Sequence, residues 1–259
     1  KKNKSYLHFY HSPNDNSSLS FNRISKVLVD HSGVMWVATF GGGLNKVIKN
    51  NSAITFKSFK NNINDNSSLS DDKVISLFED KNYELWIGTY YGGLNRLKLE
   101  ESIYEDKPLI FHNYRHNPGV KSSLSNNSVM SIVQDKSGDL WIGTFGGGLN
   151  KYNKQSDSFT HFKNDPYNKN SLGDNDVLSL FCDRSNILWI GTHLGQGINK
   201  LAKNKIKFAT IRRIPGNPNS INDDVVWSIY QDKKKIFWFG TYRGGINRYD
   251  RVKNKFSVL

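Results

Sequence analysis

The chain has 259 residues, 36 Lys and Arg against 23 Asp and Glu for a formal net charge of +13, and a hydrophobic fraction of 37% in which aromatic residues (13%) weigh heavily. Frequent Gly and the absence of long charge blocks exclude a disordered chain and fit a turn-rich β protein large enough for a sizeable core. The single cysteine excludes an internal disulfide and a cysteine metal cage, no apolar run approaches the ~20 residues of a membrane span, and Lys1 to Tyr10 lack the apolar centre of a signal peptide.

In chain order, the first apolar landmark is Phe9, followed ten residues later by Leu19 and then by Asp30 and Trp36. The same set returns four times. Trp36, Trp86, Trp141, Trp189 and Trp238 each open a W-[IVF]-[GA]-T string, at steps of 50, 55, 48 and 49 residues. Six positions before each stands Asp30, Asp80, Asp135, Asp183 or Asp232. Seventeen positions before stands Leu19, Leu69, Leu124, Leu172 or Ile221, and ten before that Phe9, Phe59, Tyr114, Phe162 or Ile211. Apart from one residue inserted in the fourth copy's glycine loop, length varies between the motif Asn (Asn45, Asn95, Asn150, Asn199, Asn247) and the next Phe (Phe56, Phe111, Phe159, Phe208, Phe256), with gaps of 11, 16, 9, 9 and 9 residues. A segment free to change length is an exposed hairpin tip, whereas invariant segments are packed or hydrogen-bonded.

Each period predicts four short strands. The inner strand is a largely apolar run such as Val74 to Phe78 or Val129 to Val133, as expected of a strand with sheets stacked on both faces. An Asp/Ser/Gly turn follows (Asp30 to Val34, Asp135 to Asp139), its aspartate accepting local backbone N–H groups in a structural role. The second strand is Leu140 to Thr144, the glycines Gly146 to Gly148 lead to a third at Leu149 to Tyr152, and the fourth carries an F-x-x-[FY] pair such as Phe56 with Phe59. One such unit cannot bury both faces alone, so neighbours must stack, with the five tryptophans as core. The expected architecture is all-β: a β-propeller of four-stranded antiparallel blades occupying residues 1–259 as a single domain or fragment. Phe9 and Phe256 both belong to fourth-strand patterns, which predicts five repeats plus one extra N-terminal outer strand. A closed ring needs equal numbers of every strand, so this count favours a segment of a longer array over a closed five-blade ring. Cys182 continues the apolar run Leu178 to Phe181 and reads as a buried thiol.

At Ser123 to Lys151 the chain closely resembles the two-component regulator propeller repeat, S-L-S-x-[ND]-x-V-x-S-[IL]-x-x-D-x-x-G-x-L-W-I-G-T-x-G-G-G-L-N-[KR], and the other four copies follow with substitutions. The fourth departs most: Gly173 replaces Ser, and Thr192 to Asn199 holds one inserted residue. The resemblance implies the periplasmic sensor region of an inner-membrane hybrid two-component system or sensor histidine kinase, responding to oligosaccharides. It also implies downstream β-sandwich and kinase domains of the same protein as partners, with homodimerisation left open.

In a propeller the turns between strands two and three share a face with the links into the inner strands. On that face the residue after each Thr is Phe40, Tyr90, Phe145, His193 or Tyr242, and flat rings with polar tips suit sugar faces. Tyr91, Gln196 and Arg243 break the symmetry of the repeat, and together with His193 they are expected to contact ligand; the alternative is that the aromatics merely cover the inner strands. Arg23 and Lys73, just before inner strands, make one side basic, which with the net charge favours an acidic oligosaccharide. Nucleic acid is not expected, because no basic cluster stands out in the sequence. The glycine triplets lack a phosphate-loop ending, His112 and His116 lack a third metal ligand, and Asp71-Asp72 and Asp223-Asp224 belong to repeated links. No cofactor, metal or catalytic residue is assigned, and the region is read as a binding module. A propeller lyase or glycosidase and a protein-interaction scaffold are the competing classes.

Overall fold

The computed structural model describes residues 6–50, 53–99, 108–193, 197–202 and 207–259. They form five four-stranded antiparallel sheets, each built from consecutive strands, with no α-helix among the described residues. Sheet 1 holds β1 (Ile24–Val29), β2 (Met35–Thr39), β3 (Gly43–Asn50) and β4 (Ala53–Phe59). Sheet 2 holds β5 (Val74–Glu79), β6 (Glu84–Thr89), β7 (Leu94–Lys98) and β8 (His112–Tyr114). Sheet 3 holds β9 (Val129–Gln134), β10 (Leu140–Thr144), β11 (Gly148–Asn153) and β12 (Ser158–Phe162). Sheet 4 holds β13 (Val177–Cys182), β14 (Leu188–Thr192), β15 (Ile198–Ala202) and β16 (Lys207–Ile211). Sheet 5 holds β17 (Val226–Gln231), β18 (Phe237–Thr241), β19 (Ile246–Asp250) and β20 (Lys255–Val258). The chain divides into two compact units, residues 1–113 and 114–259.

The fixed intervals of the repeat are hydrogen bonds. One oxygen of each repeat aspartate closes its own turn, as where Asp135 Oδ1 accepts Ser137 N at 2.8 Å and Asp139 N at 3.1 Å. The other accepts the indole N–H six residues on: Asp30 from Trp36 at 2.8 Å, Asp80 from Trp86 at 3.0 Å, Asp135 from Trp141 at 2.6 Å, Asp183 from Trp189 at 3.0 Å and Asp232 from Trp238 at 3.1 Å. A buried indole needs a partner for its N–H, and this aspartate supplies it while fixing the turn. The motif Thr donates its hydroxyl to the last loop glycine, Thr144 to Gly148 O at 2.9 Å. The motif Asn spans back to the link before its own inner strand, Asn150 Nδ2 donating to Ser125 Oγ at 2.8 Å while its Oδ1 accepts Ser125 N at 3.0 Å.

In unit 1 the core lies between sheets 1 and 2, where Trp36 and Leu44 meet Leu69, Val74, Leu85, Ile87 and Phe111. Unit 2 repeats the arrangement twice: Trp141 packs with Leu172, Val177 and Ile190 of the fourth repeat, and Trp189 with Ile221, Val226 and Phe237 of the fifth. Burying each large side chain is worth roughly 1.5–3 kcal/mol, so the sheets are held together by their tryptophan faces.

Four expectations are corrected. Phe9 forms no strand; residues 6–10 are irregular, and the Phe9 ring rests edge-on against Phe56 at 5.4 Å. Every sheet fills its four places with its own consecutive strands, so this segment has no third strand to pair with among the described residues. Inner strands are not uniformly buried: β1 is exposed nearly throughout, and β17 exposes Trp227 and Tyr230. Within its unit, each of these sheets stacks on a neighbour through one face only. Trp238 is half-buried, whereas Trp36, Trp86, Trp141 and Trp189 are buried. Cys182 is also half-buried, its thiol 3.3 Å from Asn186 Oδ1.

Each inner strand begins with a register shift against the second strand, between Ile24 and Lys26, Val74 and Ser76, Val177 and Ser179, and Val226 and Ser228, with the matching shift at Gly143/Thr144 in sheet 3. A bulge of this kind bends the strand end and re-aims its side chains. All five sit beside the loop-face residues.

Candidate functional site

The residue after each motif Thr is tied by its backbone to the start of the inner strand. Phe40 N donates to Arg23 O at 2.8 Å, Tyr90 N to Lys73 O at 2.9 Å, Phe145 N to Ser128 O at 2.9 Å, His193 N to Asp176 O at 3.1 Å and Tyr242 N to Val225 O at 3.1 Å. This bond places the five side chains over the inner-strand ends, whatever their identity. The functional question is therefore what gathers around each.

In unit 1 a continuous patch results. The Phe40 and Tyr90 rings lie 5.7 Å apart and the Tyr90 and Tyr91 rings 4.4 Å apart. The Arg23 guanidinium sits 4.2 Å over the Phe40 ring, and Lys73 Nζ lies 5.8 Å from the Phe40 centroid and 4.9 Å from that of Tyr91. Phe40 and Lys73 also form a β-bridge across the two sheets. Asp71 fixes the frame, its Oδ2 accepting Tyr91 N at 2.8 Å and its Oδ1 accepting Lys73 N at 3.1 Å. Asp72 Oδ1 accepts Asn61 N at 2.7 Å, so this pair of carboxylates holds backbone. Tyr91 remains 60% exposed, which leaves a ring face and a hydroxyl open to solvent beside two cations. The cluster is invisible as a run of sequence because Arg23 and Lys73 come from different repeats.

Unit 2 carries separate features. Phe145 and His193 rings are 5.5 Å apart, and His193 Nδ1 lies 3.5 Å from Asp176 Oδ2. Tyr242 is exposed, with the Arg243 guanidinium 5.5 Å from its ring. Gln196 lies outside the described residues. Arg243 lines a cavity of about 410 Å³ with Arg213, Asn222, Asp223, Asp224, Val225 and Gly244. Arg213 escapes a reading based on the glycine loop, although its departure from the repeat was visible: the equivalent positions are His11, Asn61, His116 and Asn164. No cluster of three or more His, Cys, Asp or Glu suited to a metal occurs among the described residues; His116 Nδ1 faces Leu124 O at 2.8 Å.

Five four-stranded antiparallel sheets in tandem, with Trp36, Trp141 and Trp189 packed against the following sheet of their unit, define a β-propeller built from repeats. The family model described as two component regulator propeller matches residues 68–91, 123–146, 171–193 and 220–243. Each matched segment begins at a Ser-Leu or Ser-Ile pair of the link and ends at the residue after the motif Thr or one position beyond it. No curated protein sequence matches the chain.

Among solved structures, the chain is similar to the extracellular domain of a protein named as a hybrid two-component system from B. thetaiotaomicron, with 21% identity and a TM-score of 0.73 over 92% of this chain and 30% of that one. The extracellular domain of a one-component system from the same organism gives 20% identity and a TM-score of 0.65 over 96% and 30%. Virginiamycin B lyase from Staphylococcus aureus gives 14% identity and a TM-score of 0.63 over 95% and 71%. This chain thus spans about 30% of the length of the first two. At these identities the likeness is one of fold.

Proposed function

We propose that this chain is part of the extracytoplasmic sensor region of a two-component signalling protein, and that the Arg23, Phe40, Lys73, Tyr90 and Tyr91 patch binds an oligosaccharide, preferentially an acidic one. The observation that carries this reading is the patch itself: three rings in tilted and edge-on contact, two of them with phenolic tips, beside two cations, on segments joined by backbone hydrogen bonds. Ring faces complement the C–H faces of sugars, and Arg and Lys complement a carboxylate or sulfate on them. Resemblance to the repeat family and to extracellular domains of two-component systems supports the sensor assignment. A ligand that favours one arrangement of the propeller and the downstream domains of the same protein shifts that equilibrium, and the kinase module reads the shift.

The lyase neighbour supports a second reading, a glycan-cleaving or lyase propeller, in which His193 beside Asp176 serves as general base. The two are separated by calorimetric titration of neutral and uronate-bearing oligosaccharides alongside an assay for cleavage products. Binding without turnover, weakened about tenfold or more in Tyr91→Ala and Lys73→Ala at unchanged melting temperature, is the expected result; tenfold corresponds to about 1.4 kcal/mol. Unchanged affinity in both variants, or turnover abolished by His193→Ala, overturns it.

A further inference from the structure

The fifth repeat departs from the other four at three positions that meet in space. Where Arg213 stands, the other copies have His11, Asn61, His116 and Asn164, and each of those side chains reaches a carbonyl of its own link: His11 Nδ1 lies 2.8 Å from Leu19 O, Asn61 Nδ2 donates to Leu69 O at 2.8 Å, His116 Nδ1 lies 2.8 Å from Leu124 O, and Asn164 Nδ2 donates to Leu172 O at 2.7 Å. The backbone of Arg213 is held as in the others, its N–H donating to Asp224 Oδ1 at 2.6 Å, but its guanidinium makes no such bond. Arg213 has left the structural task of its position. Arg243 replaces the first loop residue, Gly41, Tyr91 or Gly146 elsewhere. Asn222 replaces the link Ser20, Ser70 or Ser125, and its longer amide reaches the loop carbonyl of Gly244 while its Oδ1 accepts Asn247 Nδ2 at 2.7 Å. That cross-link holds the Arg243 loop against the Arg213 link.

The result is the cavity of about 410 Å³, lined by both Arg213 and Arg243. Neither forms an ion pair among the described residues. The carboxylates that share the wall are engaged elsewhere: Asp223 accepts Val225 N at 3.0 Å and Arg243 N at 2.7 Å, and Asp224 accepts the Arg213 backbone. A guanidinium offers a planar fork of donors matched to the oxygens of a carboxylate, sulfate or phosphate group. We propose that Arg213 and Arg243 form a binding site for an oxyanion group in the fifth repeat, one that does not depend on the unit 1 patch.

The test titrates the whole chain at low ionic strength with inorganic sulfate, inorganic phosphate and glucuronate, with chloride as the control; the three arms separate a free inorganic ion from a sugar acid. Arg213→Asn installs the residue of the second and fourth repeats, whose link bond it can recover, so the fold should persist and its melting temperature verifies this. Arg243→Gln keeps length and removes charge. Saturable binding of at least one oxyanion, weakened fivefold or more in each variant and lost in the double variant, is expected. Absence of saturable binding with all three anions, or equal affinity in the folded double variant, overturns the proposal.

Discussion

Replacing Gly173 by serine should stabilise the second unit. In sheets 1, 2 and 3 the fully buried motif Asn donates to a link serine: Asn45 to Ser20 at 2.7 Å, Asn95 to Ser70 at 2.8 Å and Asn150 to Ser125 at 2.8 Å. In sheet 5, Asn247 donates to Asn222. In sheet 4 the link residue is Gly173, and Asn199 Nδ2, equally buried, has no hydrogen-bond partner among the described residues. The frame for the missing bond is present, since Gly173 N still donates to Asn199 Oδ1 at 2.9 Å, as Ser125 N does to Asn150. An unsatisfied buried donor costs about 1–3 kcal/mol, and a Gly replaced in a backbone conformation open to other residues gains about 0.4–1 kcal/mol through the unfolded chain. Gly173 is not a positive-φ glycine. After the cost of ordering the serine hydroxyl, a net gain of about 1–2 kcal/mol is expected, or roughly 2–6 °C in melting temperature. Urea unfolding should show a higher midpoint at unchanged slope, and a cycle with Asn199→Ala should show coupling of about 1 kcal/mol. A midpoint that stays or falls, or coupling near zero, refutes the reasoning.

Three further outcomes follow from the same geometry. Gly148→Ala should destabilise by about 2 kcal/mol or more, because φ is +78° and the new Cβ would collide with Phe162 O; Gly138→Ala, with φ +89° and open space around it, should cost only about 1–2 kcal/mol in urea unfolding. Trp189→Ala should lower stability by about 3–5 kcal/mol, and Trp238→Ala by clearly less, since Trp238 is half-buried; equal losses would contradict the burial argument. The Asp30 carboxyl is pushed up by burial, but hydrogen bonds from the Ser32 hydroxyl, the Trp36 indole and the Val34 and Ser32 backbone outweigh this and hold it below its ordinary value. A lowered folded-state value means the stabilisation is complete above the unfolded carboxyl value of about 4 and is lost as pH falls through the folded one. Asp30→Asn should therefore be less stable than the parent at neutral pH, with the gap closing below about pH 4; a gap independent of pH between 3 and 7 would exclude this linkage.

The sequence itself laid out the period, the four strands of each unit, the turn aspartates and the loop aromatics. These are legible because each rests on a bond between residues a fixed, short distance apart, such as the six positions from Asp135 to Trp141. The reading gave the aspartate and the tryptophan separate tasks, and their shared hydrogen bond appears only in three dimensions. The candidate site was half legible. Phe40, Tyr90, Tyr91, Arg23 and Lys73 were each singled out, but the sequence held no sign that Lys73 lies between Phe40 and Tyr91, because they belong to neighbouring repeats.

Arg213 was missed for the opposite reason: its place in the repeat was plain, while the loss of its link bond shows only when the other four copies are seen making theirs. A repeating chain records in its spacing whatever each unit does for itself, and so determined the β-propeller repeat and the strands within it. Which tryptophan is half-exposed, which inner strand meets solvent and which charges converge on one cavity depend on what stacks against each sheet. Stacking joins residues far apart in the chain through nondirectional apolar contact, which leaves no fixed interval to read. Those features were decided by the tertiary structure alone.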